Sequence, residues 1–530
     1  MQKKISLKLL PHVAADTVLI KEHINKILAV KQGAVTGFRI IKRNIDARSK
    51  QPWINISAEV FINEPYSDYS FNKITFKDVH EAENSALIIG AGPAGLFAAL
   101  TFLEHGIKPI IIERGKDVRA RRRDLALLNK NGILNTESNY CFGEGGAGTY
   151  SDGKLYTRSN KRGNIQRILN MFAQFGADEK ILYESHPHIG TNKLPDIITA
   201  MRKQIEDCGG KILFEKKLVD FKIDKNRIYS ITTADGDNFK ADAFILATGH
   251  SARDIFLLLH EKKILIEQKP FALGVRVEHP QSIIDSIQYH CSVRDKYLPP
   301  ASYNLVKQIN GKAVFSFCMC PGGIIAPAAT ANEEVVVNGW SPSKRNNPFA
   351  NSGIVVQVEN QDLYNYKDYD EKKINIPDAL SAMYFQQSIE RKAYNTGGSK
   401  FVAPAQRMID FANNKISSSL PACSYLPGIN SADLKDVLPS FIHKTLQQAF
   451  KDFGKKKKGY FTNEAVVVAT ESRTSSPVRI PRNEKTLNHP QLENLYPCGE
   501  GAGYAGGIVS AAMDGEKVAT IIIEKMKATV

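Results

Sequence analysis

The chain is poor in cysteine and has no long hydrophobic run. Its 530 residues include seven cysteines, and this small, odd number excludes a disulfide framework. No apolar run approaches the roughly 20 residues that cross a bilayer. The N-terminal segment Met1–Pro11 has a short apolar part and no small-residue cleavage site, so we do not expect a signal peptide. These absences predict a cytoplasmic protein without a membrane span.

The composition is that of a large globular protein. The chain is 43% apolar and 24% charged, and its length allows two or three domains with ample core. The formal net charge is +15. Such an excess is compatible with nucleic acid, an anionic membrane surface or an acidic substrate, and charge alone does not choose between them.

A glycine motif near residue 90 is typical of a dinucleotide-binding fold. The apolar strand Ala86–Ile89 leads into Gly90-x-Gly92-x-x-Gly95, and an apolar helix follows. In this motif Gly90 permits a tight turn, Gly92 lets the backbone approach a pyrophosphate, and Gly95 lets the helix pack closely on the sheet. The strand, turn and helix together predict a nucleotide site.

The residues around the motif complete this predicted site. The helix that begins near Pro93 and Ala94 offers free N–H groups and a partial positive charge to phosphates. Glu113, followed by Arg114, ends the second strand 23 residues after Gly90, where an acid can accept hydrogen bonds from an adenosine ribose. The alternative is a glycine-rich turn in an ordinary α/β sheet.

Three later segments predict that the dinucleotide is FAD, and the first is residues 141–154. This segment holds four glycines between positions 143 and 148, and no apolar strand precedes it. We therefore interpret it as a loop that lies against a flat ligand, with a mobile surface loop as the alternative. Its predicted ligand contacts are Gly146, Gly148, Thr149, Ser151 and Lys154.

The other two segments follow apolar strands. Residues 241–249 end in Thr248 and Gly249, a strand and turn similar to those that flavoproteins with two dinucleotide folds carry beside FAD. Residues 495–508 contain Gly499-Glu500, in the place where such flavoproteins have a glycine and an acid for the ribityl chain. The helix that starts near Gly506, Gly507 and Ile508 would direct its positive end at the flavin.

The sequence resembles the bacterial FAD-dependent dehydrogenases, also described as NAD(P)/FAD-dependent oxidoreductases, of the glutathione-reductase-like flavoproteins. The resemblance covers nearly the whole chain and implies FAD and redox chemistry, without implying a substrate. The stretches that carry it are Phe142–Leu155, Pro187–Leu194, Gly249–Asp254, Phe315–Gly323, Ala403–Gln406, Arg473–Pro477 and Gly499–Ile508.

We predict an α/β fold with three parts. A Rossmann-like FAD-binding domain is formed by residues 83–265 and 465–530, and a mixed α+β substrate or cap domain, residues 266–464, is inserted into it. Residues 1–82 form a separate small N-terminal module. Within the insert, a helical face is predicted to end at Gly454, and the four lysines Lys455–Lys458 are predicted to form an exposed loop.

The N-terminal module is predicted to have β-α-β-β order. Its elements are expected at Ile5–Leu10, 16–28, Phe38–Ile45 and Ile54–Ile62, the last with strict alternation of apolar residues. Residues 1–80 hold 13 Lys/Arg and 7 Asp/Glu. We favour a solvated basic face over a nucleic-acid patch, because no RNA-binding signature with stacking aromatics is present.

Three residues are the predicted catalytic or substrate-binding groups: His250, Lys154 and Arg473. His250 follows the Thr248-Gly249 turn and is a candidate proton donor near the flavin, with a structural histidine as the alternative. Arg473, and less strongly Arg276, are candidates for binding an anionic substrate, with salt bridges as the alternative.

Two further groups carry weaker signals. His186 and His188 have no further ligands at metal-site spacing, so no metal is predicted, and His188 and Lys193 are expected near the pocket. Cys318 and Cys320 are expected on one face of a strand. Structural burial, pocket lining, and redox or metal work all remain open for this pair.

The predicted function is hydride transfer between the flavin and a small organic substrate. No second strand-glycine-helix unit occurs between residues 120 and 465, which argues against a separate NADPH-binding fold. The electron donor would be transient NAD(P)H, a ferredoxin-type protein or the substrate itself. Two alternatives remain: a tRNA-modifying flavoprotein, and a non-enzymatic FAD-binding protein whose N-terminal module binds a partner.

Overall fold

A computed structural model of the chain describes residues 1–31, 33–67, 71, 73–157, 163–364 and 378–529. In these ranges the protein is a mixed α/β structure with an N-terminal sheet, a parallel sheet and a large antiparallel sheet. None of the helices in the described ranges has the length and apolar character that crossing a membrane requires.

The N-terminal residues form the predicted β-α-β-β order, with one extra helical turn. The elements are β1 (Gln2–Leu9), α1 (Pro11–Ala14), α2 (Thr17–Leu28), β2 (Val35–Asp46) and β3 (Trp53–Ile62). Asp16 begins α2, because its carboxylate accepts a hydrogen bond from Val18 N at 2.8 Å. Strand β3 lies between β1 and β2 and is antiparallel to both. Its alternating apolar residues are buried, as the pattern predicts.

This N-terminal sheet is not separate from the rest of the protein in its packing. Its buried side chains belong to the same continuous apolar core as those of the large antiparallel sheet. In addition, Arg43 N donates to Tyr183 O at 2.9 Å, and Ser185 N donates to Arg43 O at 2.9 Å. The N-terminal residues thus form a sheet of their own whose core continues into that of the antiparallel sheet, and the predicted domain boundary stays a prediction.

Residues 83–261 form the next part of the chain. The elements are β4 (Ser85–Ile89), α3 (Pro93–His105), β5 (Lys108–Ile112), α4 (Val118–Asn131), α5 (Ile165–Gln174), α6 (Leu194–Asp207), β6 (Lys211–Leu213), β7 (Leu218–Asp224), β8 (Arg227–Thr233), β9 (Asn238–Phe239), β10 (Ala243–Leu246) and α7 (Arg253–Glu261). Short 3-10 helices occur at Gly146–Gly148 and Glu179–Leu182.

The remaining residues are richer in strands. The elements are β11 (Glu267–Gln268), β12 (Phe271–Pro280), α8 (Gln281–Tyr289), β13 (Val306–Ile309), β14 (Lys312–Cys320), β15 (Ile324–Pro327), β16 (Val337–Trp340), β17 (Phe349–Val358), α9 (Asn360–Tyr364), α10 (Ser381–Gly397), β18 (Ala403–Arg407), α11 (Met408–Ala412), β19 (Ile429–Ser431), α12 (Ser440–Lys456), β20 (Val466–Glu471), β21 (Val478–Arg479), β22 (Leu495–Pro497) and α13 (Ile508–Thr529).

The parallel sheet has the strand order β22-β10-β4-β5-β6. Helix α3 is buried along most of its length, because it lies between this sheet and the C-terminal helix α13. The two helices can approach closely at Gly515, where an added Cβ would lie 2.1 Å from Ala94 O. The last helix of the chain therefore completes the layer that the first glycine motif begins.

The large antiparallel sheet has the order β13-β14-β17-β12-β20-β18-β19, in which only the β18–β19 pair is parallel. Strand β20 is hydrogen-bonded between β12 and β18. The predicted boundary at residue 465 is therefore wrong, because it assigned β20 to the FAD-binding domain.

Two local expectations also need correction. Residues 211–224 have the sequence pattern of one continuous strand, but β6 joins the parallel sheet while β7 pairs with β8. Helix α12 does not end at Gly454. It continues to Lys456, and an added Cβ at Gly454 would lie 2.4 Å from Phe461 Cβ. Here the glycine permits close packing rather than ending the helix, and only Lys457 and Lys458 of the four-lysine run lie beyond it.

Candidate active site

A cavity of about 730 Å³ lies between the parallel sheet and the antiparallel sheet. One side is formed by the residues that follow β4, β5, β10 and β22, at the carboxyl ends of adjacent parallel strands. The other side is formed by the end of β14 and by the loops around Lys154 and Arg345. The carboxyl ends of parallel strands are where open α/β sheets bind their ligands.

Most of the predicted site residues line this one cavity. They are Gly90, Gly92, Pro93, Ala94, Glu113, Arg114, Gly146, Gly148, Ser151, Lys154, Thr248, Gly249, His250, Arg473, Gly499, Glu500, Gly506, Gly507 and Ile508. Two of the predicted cofactor-binding residues lie outside its lining. Gly95 faces the sheet, where an added Cβ would lie 2.0 Å from Gly90 O. Thr149 is buried and donates to Glu144 O at 2.8 Å, so its predicted ligand contact is corrected to a structural one.

The first glycine turn has the geometry that the motif predicts. Gly90 has φ +110°, a conformation that strongly favours glycine, and an added Cβ would lie 2.4 Å from Ala247 O. Gly92 precedes α3, and an added Cβ there would meet no atom nearer than Gly146 Cα at 3.9 Å. The turn thus packs tightly against the sheet on one side and is open towards the cavity on the other. The N–H groups of the first turn of α3, which have no partner within the helix, lie on the cavity side.

Glu113 holds three backbone segments together at the cavity wall. Its carboxylate accepts hydrogen bonds from the N–H groups of Ala91, Gly115 and Gly143, each at 2.9 Å. A carboxylate has about four acceptor positions, so one remains for a ligand hydroxyl. The predicted ribose acid therefore also fixes the glycine turn to the loop at residues 141–154.

Arg114 is neutralised by its neighbours. It donates to both carboxylate oxygens of Asp254, at 2.8 and 2.9 Å, and its Nε donates to Glu137 at 2.8 Å. The guanidinium carbon also lies 4.2 Å from the ring centroid of Phe142. Arg114 therefore forms part of the cavity wall, and its positive charge is not available to a ligand.

The second glycine-rich turn brings an acid next to His250. Glu500 Oε2 lies 3.3 Å from His250 Nδ1, and His250 Nε2 lies 3.2 Å from Arg473 O. Both ring nitrogens thus face oxygen acceptors. The preceding Gly499 has φ +74°, and its N–H donates to Asp514 in α13 at 2.8 Å, which fixes the turn to the helix.

The residues present fit FAD. Added Cβ atoms at Gly249, Gly506 and Gly507 would meet nothing within 4 Å, so three backbone surfaces besides Gly92 are bare towards the cavity. The N-termini of α3 and α13 both border it. A cavity with bare glycine backbone and two helix N-termini suits a flat dinucleotide with a pyrophosphate at its centre.

The two thiols at the end of β14 both line the cavity, but a shift in strand pairing gives them different exposure. The pairing of β14 with β17 shifts between Phe317 and Cys320, and Cys318 has φ +45°. As a result Cys318 is exposed, while Cys320 is buried and its thiol donates to Cys318 O at 3.1 Å. In the part of the chain that the structure describes, no group of three His, Cys, Asp or Glu residues could hold a metal ion.

Lys154 lies next to this thiol pair. Its amine donates to Met319 O and lies 3.8 Å from Cys320 Sγ and 3.7 Å from Asp152 Oδ2. Burial disfavours the charged amine, but the attraction of Asp152 and the smaller contributions of Cys320 and Cys318 together outweigh it and raise the pKa of Lys154. Asp152 also accepts from Arg345 at 2.9 Å. Sequence reasoning missed Arg345, because it stands in a polar loop without a motif.

Arg473 does not have the free guanidinium that an anion contact would need. It is buried and pairs with Glu390 at 2.9 Å and Glu334 at 3.2 Å, and it donates to Thr330 Oγ1 at 2.7 Å. Burial alone would lower the pKa of Arg473, but the two carboxylates raise it. Arg253 pairs with the same two acids. The predicted anion contact is therefore corrected to a balanced buried cluster.

The guanidinium of Arg276 is likewise already paired inside the protein. It is fully buried, pairs with Glu471 at 2.5 Å, and donates to Asn351 and to Cys318 O, each at 2.7 Å. The alternative of a salt bridge is thus the one observed, although this bridge lies in the core rather than on the surface.

Only one of the two histidines, His186 and His188, lines the cavity. His186 lines the cavity, whereas His188 and Lys193 do not. His188 Nε2 lies 3.2 Å from Ser343 O, and burial lowers the pKa of His188 to about 4. The expectation that His188 and Lys193 lie at the pocket is therefore wrong, and His186 takes that place.

Part of the basic character of the N-terminal sheet is neutralised. Arg39 pairs with Glu59, Arg48 with Asp46 and Arg43 with Glu184. These pairs agree with the solvated basic face that the sequence favours. The nucleic-acid alternative stays an untested prediction.

Comparison with known proteins supports the cofactor. Residues 83–240 match a family model described as an FAD binding domain, and residues 270–474 match an FAD-dependent protein, C-terminal domain-like. Residues 1–61 match a domain of unknown function (DUF8436). The protein is accordingly an FAD-binding flavoprotein of the oxidoreductase type.

Likeness to solved structures is weak. Tetracycline destructase Tet(51) has a TM-score of 0.33 at 11% identity, over 84% of this chain and 82% of that chain. The open conformation of a flavocytochrome c3 fumarate reductase has a TM-score of 0.34 at 13% identity, over 84% and 78%. Scores this low do not establish a shared fold.

One curated relative is similar over nearly its full length. It is an uncharacterized protein of Clostridium beijerinckii (strain ATCC 51743 / NCIMB 8052), 38% identical over 528 residues that cover 96% of each chain. The chain, an FAD-binding flavoprotein, belongs to the same family as this Clostridium beijerinckii protein.

Proposed function

We propose that the protein transfers a hydride between FAD and a small organic substrate held beside the antiparallel sheet. The observation that carries the proposal is the single cavity. One half is lined by the bare glycine turns, and the other half by Lys154, Cys318 and Arg345. A continuous cavity of this kind lets a cofactor and a second molecule touch each other away from bulk solvent.

In this proposal FAD, when bound, supplies the two-electron chemistry. The protein supplies the binding groups. The first turn of α3 would hold the phosphates, and the remaining acceptor position of Glu113 would take a ribose hydroxyl. Glu500 would accept from a ribityl hydroxyl, and the positive end of α13 would favour negative charge on reduced flavin.

His250 is the proposed proton carrier. Its ring is held at both nitrogens, by Glu500 and by the backbone oxygen of Arg473. Both partners are acceptors, so the protonated ring donates to both of them, and a ring that has given up one proton keeps one of the two hydrogen bonds. The buried Arg473 cluster acts on this group only by holding the backbone that positions it.

The experiment that tests the proposal is an anaerobic titration of the purified protein with NADPH and then NADH, followed by absorbance. A bound oxidised flavin that bleaches in proportion to added nucleotide supports an NAD(P)H-driven oxidoreductase. Flavin that stays oxidised with both nucleotides contradicts NAD(P)H as donor and points to a ferredoxin-type protein or to a reducing substrate. No flavin, even after FAD is added, overturns the proposal.

A further inference from the structure

Among the residues that the structure describes, the lysines and arginines that line the cavity are matched by carboxylates, with one exception. Arg114 is matched by Asp254 and Glu137. Arg473, together with Arg253, is matched by Glu334 and Glu390. The exception is the group formed by Asp152, Lys154 and Arg345, in which two cations share one carboxylate.

The geometry of this group leaves one positive charge in excess. Asp152 is 4% exposed, and its Oδ2 lies 2.9 Å from Arg345 and 3.7 Å from Lys154. The two cations hold the pKa of Asp152 below its usual value against the effect of burial. Asp152 is therefore ionised at neutral pH, and it cancels only one of the two positive charges.

Neighbouring titratable groups do not remove this excess. Burial, together with the charge of Arg345, lowers the pKa of His186, so this ring is neutral at pH 7. Burial raises the pKa of Cys320, so its thiol stays protonated. Glu471, the next carboxylate, is already paired with Arg276.

Arg345 also has hydrogen-bonding capacity left over. One terminal nitrogen donates to Asp152, whereas its Nε is buried and has no hydrogen-bond partner among the residues that the structure describes. A buried donor without a partner costs free energy, so in a native structure it calls for an explanation such as a bound water, an ion or a functional role. The backbone at Arg345 is held in place, since it has φ +48° and an added Cβ at Gly322 would lie 1.7 Å from Arg345 O.

We propose that Arg345, assisted by Lys154, binds a carboxylate group of the substrate. This inference rests on the proposed function, because the site is the substrate half of the same cavity. One excess positive charge is complementary to one negative charge. The planar guanidinium matches the two oxygens of a carboxylate, which makes Arg345 the directional contact and Lys154 the supporting charge.

The test is calorimetric titration of the FAD-saturated protein with benzoate, its neutral counterpart benzamide, and inorganic phosphate. We expect benzoate to bind more tightly than benzamide and phosphate. The variant Arg345→Gln should weaken benzoate binding at least about tenfold and leave benzamide unchanged. Lys344→Gln is the matched control, because it removes the same charge from an exposed neighbour that does not line the cavity. This control should keep the preference for benzoate.

Several outcomes would overturn the assignment. They are equal binding of benzoate and benzamide, no binding of benzoate, unchanged benzoate binding by Arg345→Gln, an equal loss in Lys344→Gln, and tighter binding of phosphate than of benzoate. The proposed function is judged separately. If NADPH bleaches the flavin but benzoate does not bind, only the carboxylate assignment fails. If no flavin binds, but titration of the apoprotein still shows Arg345-dependent benzoate binding, only the proposed function fails.

Discussion

His250 and Glu500 are 250 positions apart in the chain, yet their side chains lie 3.3 Å apart, Nδ1 to Oε2. The contact follows from the sheet order. His250 comes after β10 and Glu500 after β22, and these strands are parallel neighbours. Because parallel strands bring their carboxyl ends to the same edge, two separate glycine turns meet there and place an acid against the imidazole.

This contact leads to a prediction for His250→Gln. Glutamine keeps a polar side chain at the site but cannot carry a proton, so we expect flavin to remain bound. The rate of flavin reduction should fall about 100-fold or more, the lower end of what a positioned acid or base contributes. Stopped-flow absorbance across a pH series measures it. A wild-type rate, or a pH profile identical to that of the wild type, would show that His250 is only structural.

Substitutions at two glycines of the first motif should affect cofactor binding and folding stability separately. In Gly92→Ala the new Cβ projects into open space, with no atom nearer than 3.9 Å. We expect the apoprotein to keep its stability, while FAD affinity falls about tenfold or more because the backbone can no longer approach a pyrophosphate. Quenching of flavin fluorescence on binding measures the affinity.

The matched variant is Gly95→Ala. Its Cβ would lie 2.0 Å from Gly90 O, so α3 must move off the sheet, and we expect a loss of about 1–3 kcal/mol in the free energy of unfolding. Urea unfolding of the two apoproteins compares them. If Gly92→Ala unfolded more easily than Gly95→Ala, the assignment of the two glycines would be reversed.

The buried pair of Arg276 and Glu471 predicts a large stability effect. Arg276→Met leaves Glu471 unpaired in the core, and we expect a loss of about 3–5 kcal/mol in the free energy of unfolding. The double variant Arg276→Met/Glu471→Leu removes both charges and should recover most of that loss. Urea midpoints measure both. If the double variant were no more stable than the single one, lost packing rather than an unpaired charge would be the cause.

Glu278 predicts a pH dependence of stability. Burial raises the pKa of Glu278 to about 7 from 4.5, and hydrogen bonds from Ser424 only partly offset this. The folded protein then holds this proton more tightly than the unfolded chain. The stabilisation that protonated Glu278 adds to the free energy of unfolding is complete below pH 4.5. It is lost as the pH rises towards 7, by roughly 3 kcal/mol.

The variant Glu278→Gln isolates this contribution. The free energy of unfolding of the wild type minus that of the variant, from urea titrations at several pH values, should fall between about pH 4.5 and 7. A difference that stays constant over this range, or one that rises, would mean that Glu278 is ionised in the folded protein.

Local patterns predicted the elements well where the constraint was itself local. The alternation at Ile54–Ile62 fixes which face of β3 is buried, and the Gly90 turn needs a positive φ that few residues tolerate. The neighbouring strand with which each strand pairs was harder to predict. Strands β6 and β7 look like one strand in sequence, and β20 was assigned to the wrong sheet, because an apolar run does not say which neighbour it will pair with.

The sequence alone determined the turns, the helix starts and the cofactor class, since these depend on backbone conformation within a few residues. The tertiary structure decided which charged side chains are neutralised by a partner and which are not. Arg276 meets Glu471 across 195 positions, and Arg345 meets Asp152 across 193. Coulomb energy and burial depend on distance in space. Only the folded chain therefore shows that Arg276 and Arg473 are neutralised in the interior, while Arg345 and Lys154 share a single carboxylate at the cavity.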